Sequence, residues 1–359
     1  MPSAKCQMPK CTRSLGIWPS ISRIAISRHT IPAMSRVLRV ALLVAGASVL
    51  AVLVWRIGPA LILDLLRRIG WRFFVVALLY ALHLAVRGYA IWRVLPRAAL
   101  PLAEVVRIRF AAEAVEMLTF TGPFLAEPAK GWLLTRHGVT AAQAFGAIAI
   151  EYLAYTLVSA WLATGALWLL LARHALPGSL HGAAQGILTA MLLFTAGFAF
   201  AAITGIGLLV PIVRASRVVI GRRRAEAGAA RLEPVERILV DFMHRRPARL
   251  AEVIAAEAVS HSLLATEVWL VFASVGLRFS PVDPWVVEGG VKFVNVAFFF
   301  IPGQIGASEG VYSLILVALG LPSAVGLTLS LVRRIRALLV AALGLIFLPR
   351  EAGHSAGHS

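Results

Sequence analysis

The chain has 359 residues, of which 59% are hydrophobic and 14% charged, with a mean hydropathy of +0.83. Soluble globular proteins carry roughly 45–50% and 25%, so a soluble enzyme, a disordered chain and a disulfide scaffold are excluded and a polytopic membrane protein remains. The formal charge of +18, from 35 Lys and Arg against 17 Asp and Glu, suits either nucleic acid or an anionic membrane leaflet, and its placement decides between them.

Residues 1–33 hold Lys5, Lys10, Arg13, Arg23 and Arg28 with no acid, together with Ser, Pro and both cysteines. The composition is like that of a transit peptide, yet Met34 followed by SRVLRVALLVAGASVLAVLVW reads as a natural start for a membrane chain. The reading adopted is that residues 1–33 are a basic extension, disordered or the product of an over-extended start; the alternative is a targeting or regulatory tail. Cys6 and Cys11 fall in it, so neither a redox compartment nor a metal site follows from them.

About 20 apolar residues cross a hydrocarbon core about 30 Å thick. Six stretches are long enough, near 37–55, 73–95, 141–172, 183–213, 251–277 and 324–348. Two more, 104–136 and 285–319, are interrupted by TFTGPFLAEPAKG and IPGQIGASEG, where Pro and Gly oppose a continuous helix. They are expected to form broken, re-entrant hairpins rather than pairs of ordinary spans. Such backbone is tolerated at membrane depth only against protein or a wet cavity.

With the N-terminus inside, the inside segments 1–39, 93–109, 214–249 and the tail hold 22 Lys and Arg, the outside ones six. This bias fits the positive-inside rule and places both termini in the cytoplasm. The 214–249 stretch then reads as a basic cytoplasmic loop facing lipid. No aromatic interleaving accompanies its charge, so nucleic acid is not an expected partner.

The segments 73–172 and 251–348 run in opposite senses under this topology. Aligning Glu127 with Glu309, an offset of 182, also aligns Gly138 with Gly320 and sets Glu151 opposite Arg333. The expected fold is therefore an all-α polytopic membrane protein, with about six full transmembrane helices and two broken hairpins arranged as an inverted repeat. A single transmembrane domain occupies 34–350, and 351–359 form a tail.

Charges that remain inside apolar segments carry the functional signal, because each costs roughly 2.5–3.5 kcal/mol at a lipid-exposed helix centre. Glu257 with His261, and His83 with Arg87, are i, i+4 pairs that read as helix ties. Glu288 and Lys292 share that spacing and are expected near the outer interface. The sharper set is Glu127, Lys130, Glu151, Glu309, Arg333, Arg334 and Arg336. Glu127 and Glu309 sit at the breaks, where half-helix amides either hold an anion or are capped by the carboxylate. Arg333 and Arg336 share a face, and a phosphate, a carboxylate ligand, Glu151 or Glu309 would satisfy them.

The stretch IPGQIGASEGVYSLILVALGLPSAVGLTLSLVRRIRALLVAALGLIF resembles the second-half signature of the lysylphosphatidylglycerol synthase transmembrane, or flippase-like, family. Pro302, Gly303, Gly306, Glu309, Gly320 and Arg334 fall on its pattern, and Glu127, Lys130, Arg136 and Glu151 on the first-half pattern. The chain departs at Tyr152, where the family has Arg, and at TGPFLAE, which replaces a Pro-Gly-rich turn. The resemblance implies lipid-binding or translocation roles for these residues and a place in phospholipid or hopanoid pathways. Full synthases add a soluble aminoacyl-transferring domain; this sequence runs about ten residues past the last span, so no such transfer is expected of it. No catalytic motif stands out, and neither metal nor cofactor is expected.

Two functions compete at this stage. One is a lipid translocase of the bacterial inner membrane acting on a phospholipid, hopanoid or related polar lipid. The other is a non-transporting accessory protein that binds lipid and docks a lipid-biosynthetic enzyme.

Overall fold

The computed structural model describes residues 60, 67–96, 99–119, 123–173, 178–207, 209–297 and 307–353. The extension 1–33, the first apolar stretch at 37–55 and the IPGQIG turn with Pro302, Gly303 and Gly306 lie outside the described residues. Among the described residues there are twelve helices and no strand. Three of them, over Arg72–Val94, Ala141–Leu170 and Pro247–Ser274, are long and apolar enough to cross a membrane.

The first repeat comprises α1 (Arg72–Val94), α2 (Leu102–Thr119), α3 (Pro123–Arg136) and α4 (Ala141–Arg173). A linking region follows, with α5 (Gly178–Thr204), α6 (Leu209–Ala215), α7 (Arg217–Ile220) and α8 (Arg222–Arg245). The second repeat repeats the order long, short, short, long in α9 (Pro247–Ser274), α10 (Asp283–Ala297), α11 (Ala307–Ala318) and α12 (Ser323–Gly353). At about 1.5 Å per residue the described parts of the four short helices span between roughly 18 and 27 Å.

Packing follows a two-fold exchange. The first helices of the repeats, α1 and α9, lie against each other, while α2 packs on α12 and α10 packs on α4. The α1–α9 pair is antiparallel: His83 meets Ser260, Arg87 meets Glu257 and Arg93 meets Glu252. The repeats are thus inverted with respect to one another. Close crossings rely on glycine. A Cβ on Gly289 would press on the Leu162 carbonyl of α4, and one on Gly344 would press on the Phe110 carbonyl of α2.

The short helices α3 and α11 end alike. The amide of Val139 bonds the Leu134 carbonyl and that of Gly138 bonds Thr135; Leu321 bonds Leu316 and Gly320 bonds Val317. Gly138 at φ 85° and Gly320 at φ 73° take the left-handed turn that this Schellman motif needs. Every partner in one motif lies 182 residues from its counterpart.

Three expectations change. The 214–249 stretch is not a loop: α7 and α8 fill it, and α8 packs on α4, α5, α6 and α9. Its apolar residues, such as Leu239, Phe242 and Met243, are buried, while Arg222, Arg223 and Arg224 face outward. The 183–213 stretch is not one span, because α5 stops at Thr204 and Gly205 turns at φ 70°. Pro128 does not break its hairpin but lies within α3, and the missing amide costs only one bond near that helix's start.

Candidate functional site

On α1, the apolar residues Phe73 and Val76 belong to one buried cluster and Ala90, Ile91 and Val94 to another. Tyr80, His83 and Arg87 lie between them. On α9, running the other way, Leu250 and Val253 join the second cluster and Val268, Val271 and Phe272 the first. Glu257, Ser260, His261 and Glu267 occupy the interval, all buried. A polar layer therefore crosses the middle of both helices, with an apolar core on either side.

Its described charges set acids against bases, with Glu116 a further acid close to Glu113 and Arg109. The carboxylates of Glu113, Glu127, Glu151, Glu257, Glu267 and Glu288 stand against the cations of Arg87, Arg109, Lys130, Lys292, Arg333 and Arg336. In the first repeat Arg87 reaches Glu151 at 2.5 Å, and Lys130 lies 2.6 Å from Glu127 and 3.7 Å from Glu151. Tyr80 donates its hydroxyl to Glu113, which also pairs with Arg109 at 3.0 Å.

In the second repeat Arg333 is the hub. It donates to Glu267 at 3.1 Å, to Glu288 at 2.7 Å, to the Tyr312 hydroxyl at 2.8 Å and to the Leu264 carbonyl at 3.3 Å. Arg336 pairs with Glu267 at 2.8 Å, and Lys292 with Glu288 at 2.8 Å. Three carboxylates are thus each shared between two cations: Glu151, Glu267 and Glu288.

The halves match with the charge exchanged. Lys130 and Glu151 touch in the first repeat, and the residues 182 further on, Tyr312 and Arg333, touch in the second. Where one repeat has a cation from its short helix facing an acid on its long helix, the other has a phenol facing a guanidinium.

Contacts across the two repeats differ in kind. Each close buried ion pair named above joins residues of one repeat. Between repeats, Arg336 lies over the Tyr80 ring at 3.7 Å, and Lys292 donates to the Tyr155 hydroxyl at 3.1 Å. Ser159 and His261 share a 2.8 Å hydrogen bond, as do Ser260 and His83 at 2.7 Å. The buried cross-repeat ion pair Arg87–Glu257 is long at 3.7 Å, and neither Glu257 oxygen has a hydrogen-bond partner among the described residues.

The structure gathers Glu127, Lys130, Glu151, Arg333 and Arg336 into this layer. Arg334, partly buried, falls between two of them on α12. Glu127 is no cap: it is the fifth residue of α3 and pairs within its own helix. Glu309 is the third residue of α11. Glu288 and Lys292, expected at the outer interface, are buried in the layer because α10 packs along α4. Arg333 and Arg336 take Glu267 and Glu288, not Glu151, as partners. Tyr80, Tyr155 and Tyr312 escape a search for charges, although the 182-residue offset from Lys130 leads directly to Tyr312. Among the described residues no group of three or more His, Cys, Asp or Glu has the arrangement of a metal site.

These features define an all-α membrane protein built as an inverted repeat around a buried ionic layer. The chain belongs to the lysylphosphatidylglycerol synthase TM region family, whose model matches residues 37–344. Membership makes it a membrane protein of lipid metabolism or transport. No curated protein and no solved structure matches it.

Proposed function

We propose that the protein is a flippase-like lipid translocase of the bacterial inner membrane, moving a phospholipid, hopanoid or related polar lipid by rocking one repeat against the other. It does so without covalent chemistry or a cofactor. The observation that carries this reading is the division of contacts: the close buried ion pairs lie within a repeat, while across the seam stand cation–aromatic contacts, hydrogen bonds and the long 3.7 Å Arg87–Glu257 pair.

A seam of that kind opens without separating a close buried ion pair, the costly event at low dielectric. On opening, Arg336 loses the Tyr80 face and Lys292 the Tyr155 hydroxyl, and both are then available to a headgroup phosphate. Midplane sites between inverted repeats are the usual arrangement of secondary transporters. Arg93–Glu252, an exposed pair at the end of the α1–α9 seam, fits a latch that solvent screens.

The test is transbilayer movement of a fluorescent lipid in vesicles containing the purified protein. The expected result is movement well above that of protein-free vesicles. Movement at the protein-free rate, with a lipid-biosynthetic enzyme co-purifying stoichiometrically, would replace this reading with the accessory-protein one.

A further inference from the structure

Away from the ionic layer, the ends of α1 and α5, Gln143 of α4, part of α6, the second half of α8 and the start of α9 line an open cavity of about 1080 Å³. Arg214, Arg237, Arg245, Arg246 and Arg249 line it, with Glu233, Glu236 and Asp241. Each acid is already engaged. Glu233 pairs with Arg237 at 2.6 Å and Asp241 with Arg245 at 2.7 Å. Glu236, buried, accepts the amides of Leu209 at 2.5 Å and Val210 at 3.1 Å, which fastens the first turn of α6 to α8. Gly207 makes room for that carboxylate, since a Cβ there would overlap it.

Arg214 and Arg246 form no ion pair among the described residues, and both are exposed to the cavity. They are left as its uncompensated charge. Close by in sequence to Arg214, Ile206 ahead of α6 and Leu209 and Ile212 on it expose apolar surface. A cationic pocket next to an apolar strip suits a ligand with an anionic head, and guanidinium groups favour phosphate through paired N–H donors.

We propose that this cavity binds a phosphate-bearing ligand, with Arg214 and Arg246 as the phosphate contacts. The phosphate belongs either to a membrane lipid, whose chains would lie along the α6 strip, or to a soluble phosphate ester. The site is separate from the ionic layer and does not depend on transport.

The experiment uses the full chain in nanodiscs of phosphatidylcholine doped with phosphatidylglycerol, with retained lipid counted by native mass spectrometry. Arg214→Gln with Arg246→Gln is compared with Arg223→Gln and Arg224→Gln, which removes the same charge from α8 outside the cavity. Glycerol phosphate is added in a parallel thermal-shift measurement. Loss of about tenfold in retained phosphatidylglycerol for the cavity pair alone supports the site with lipid as the source. A thermal shift with glycerol phosphate, present in the wild type and absent in the cavity pair, supports it with a soluble ester as the source. Equal losses in the two pairs, or no effect of the cavity pair on either readout, overturns the proposal.

Discussion

Two buried glutamates near one arginine differ sharply. Glu151 receives Arg87 at 2.5 Å and faces Lys130, whereas Glu257 lies 3.7 Å from Arg87 and has no hydrogen bond among the described residues. Removing one partner of a close buried pair leaves the other charge stranded, at a cost of about 3–5 kcal/mol. Glu151→Gln is therefore expected to lower the thermal midpoint strongly, while Glu257→Gln leaves it unchanged or raises it. Thermal unfolding in detergent checks the contrast, and equal losses would contradict the assigned partners. The presence of these charges in apolar stretches was legible in the sequence because each is conspicuous there. Their partners were not, since pairing depends on which helix faces which: Glu267 and Glu288 take up Arg333 through α9 and α10, neither of which adjoins α12 in sequence.

The elements depend on glycine at two kinds of position. Gly138 and Gly320 hold positive φ, where an L side chain costs roughly 1–2 kcal/mol. Gly289 and Gly344 let helices cross against a carbonyl, and backbone yields less readily than a side chain. Gly344→Ala is expected to reduce the yield of monodisperse protein on size exclusion, by a cost of about 1–3 kcal/mol. Gly310→Ala serves as the comparison, because a Cβ there meets nothing within 4 Å and α11 gains propensity. The Gly138–Gly320 correspondence was readable from the 182-residue offset. Helical structure across 214–249 was missed because hydropathy averages over the window. α8 alternates buried Leu239 and Phe242 with exposed arginines, a helical period that a mean value erases.

For the whole molecule, the Lys and Arg count predicts cytoplasmic termini, and the antiparallel α1–α9 pair agrees with the inversion that the count implies. With Cys6 and Cys11 replaced by Ser, Arg278→Cys is expected to react with an impermeant maleimide in intact cells, and Arg231→Cys only after lysis. The reverse labelling pattern would contradict the orientation. The seam between repeats is where function is assigned. Arg336→Met combined with Lys292→Met removes the two cations that face tyrosines across it, yet leaves Glu267 and Glu288 paired with Arg333. The most direct measurement is lipid movement in vesicles by this double variant against the wild type, with thermal midpoints recorded alongside. A folded variant slower by about tenfold or more, a barrier increase of roughly 1.4 kcal/mol or above, is the predicted result; a folded variant moving lipid at the wild-type rate would contradict the account.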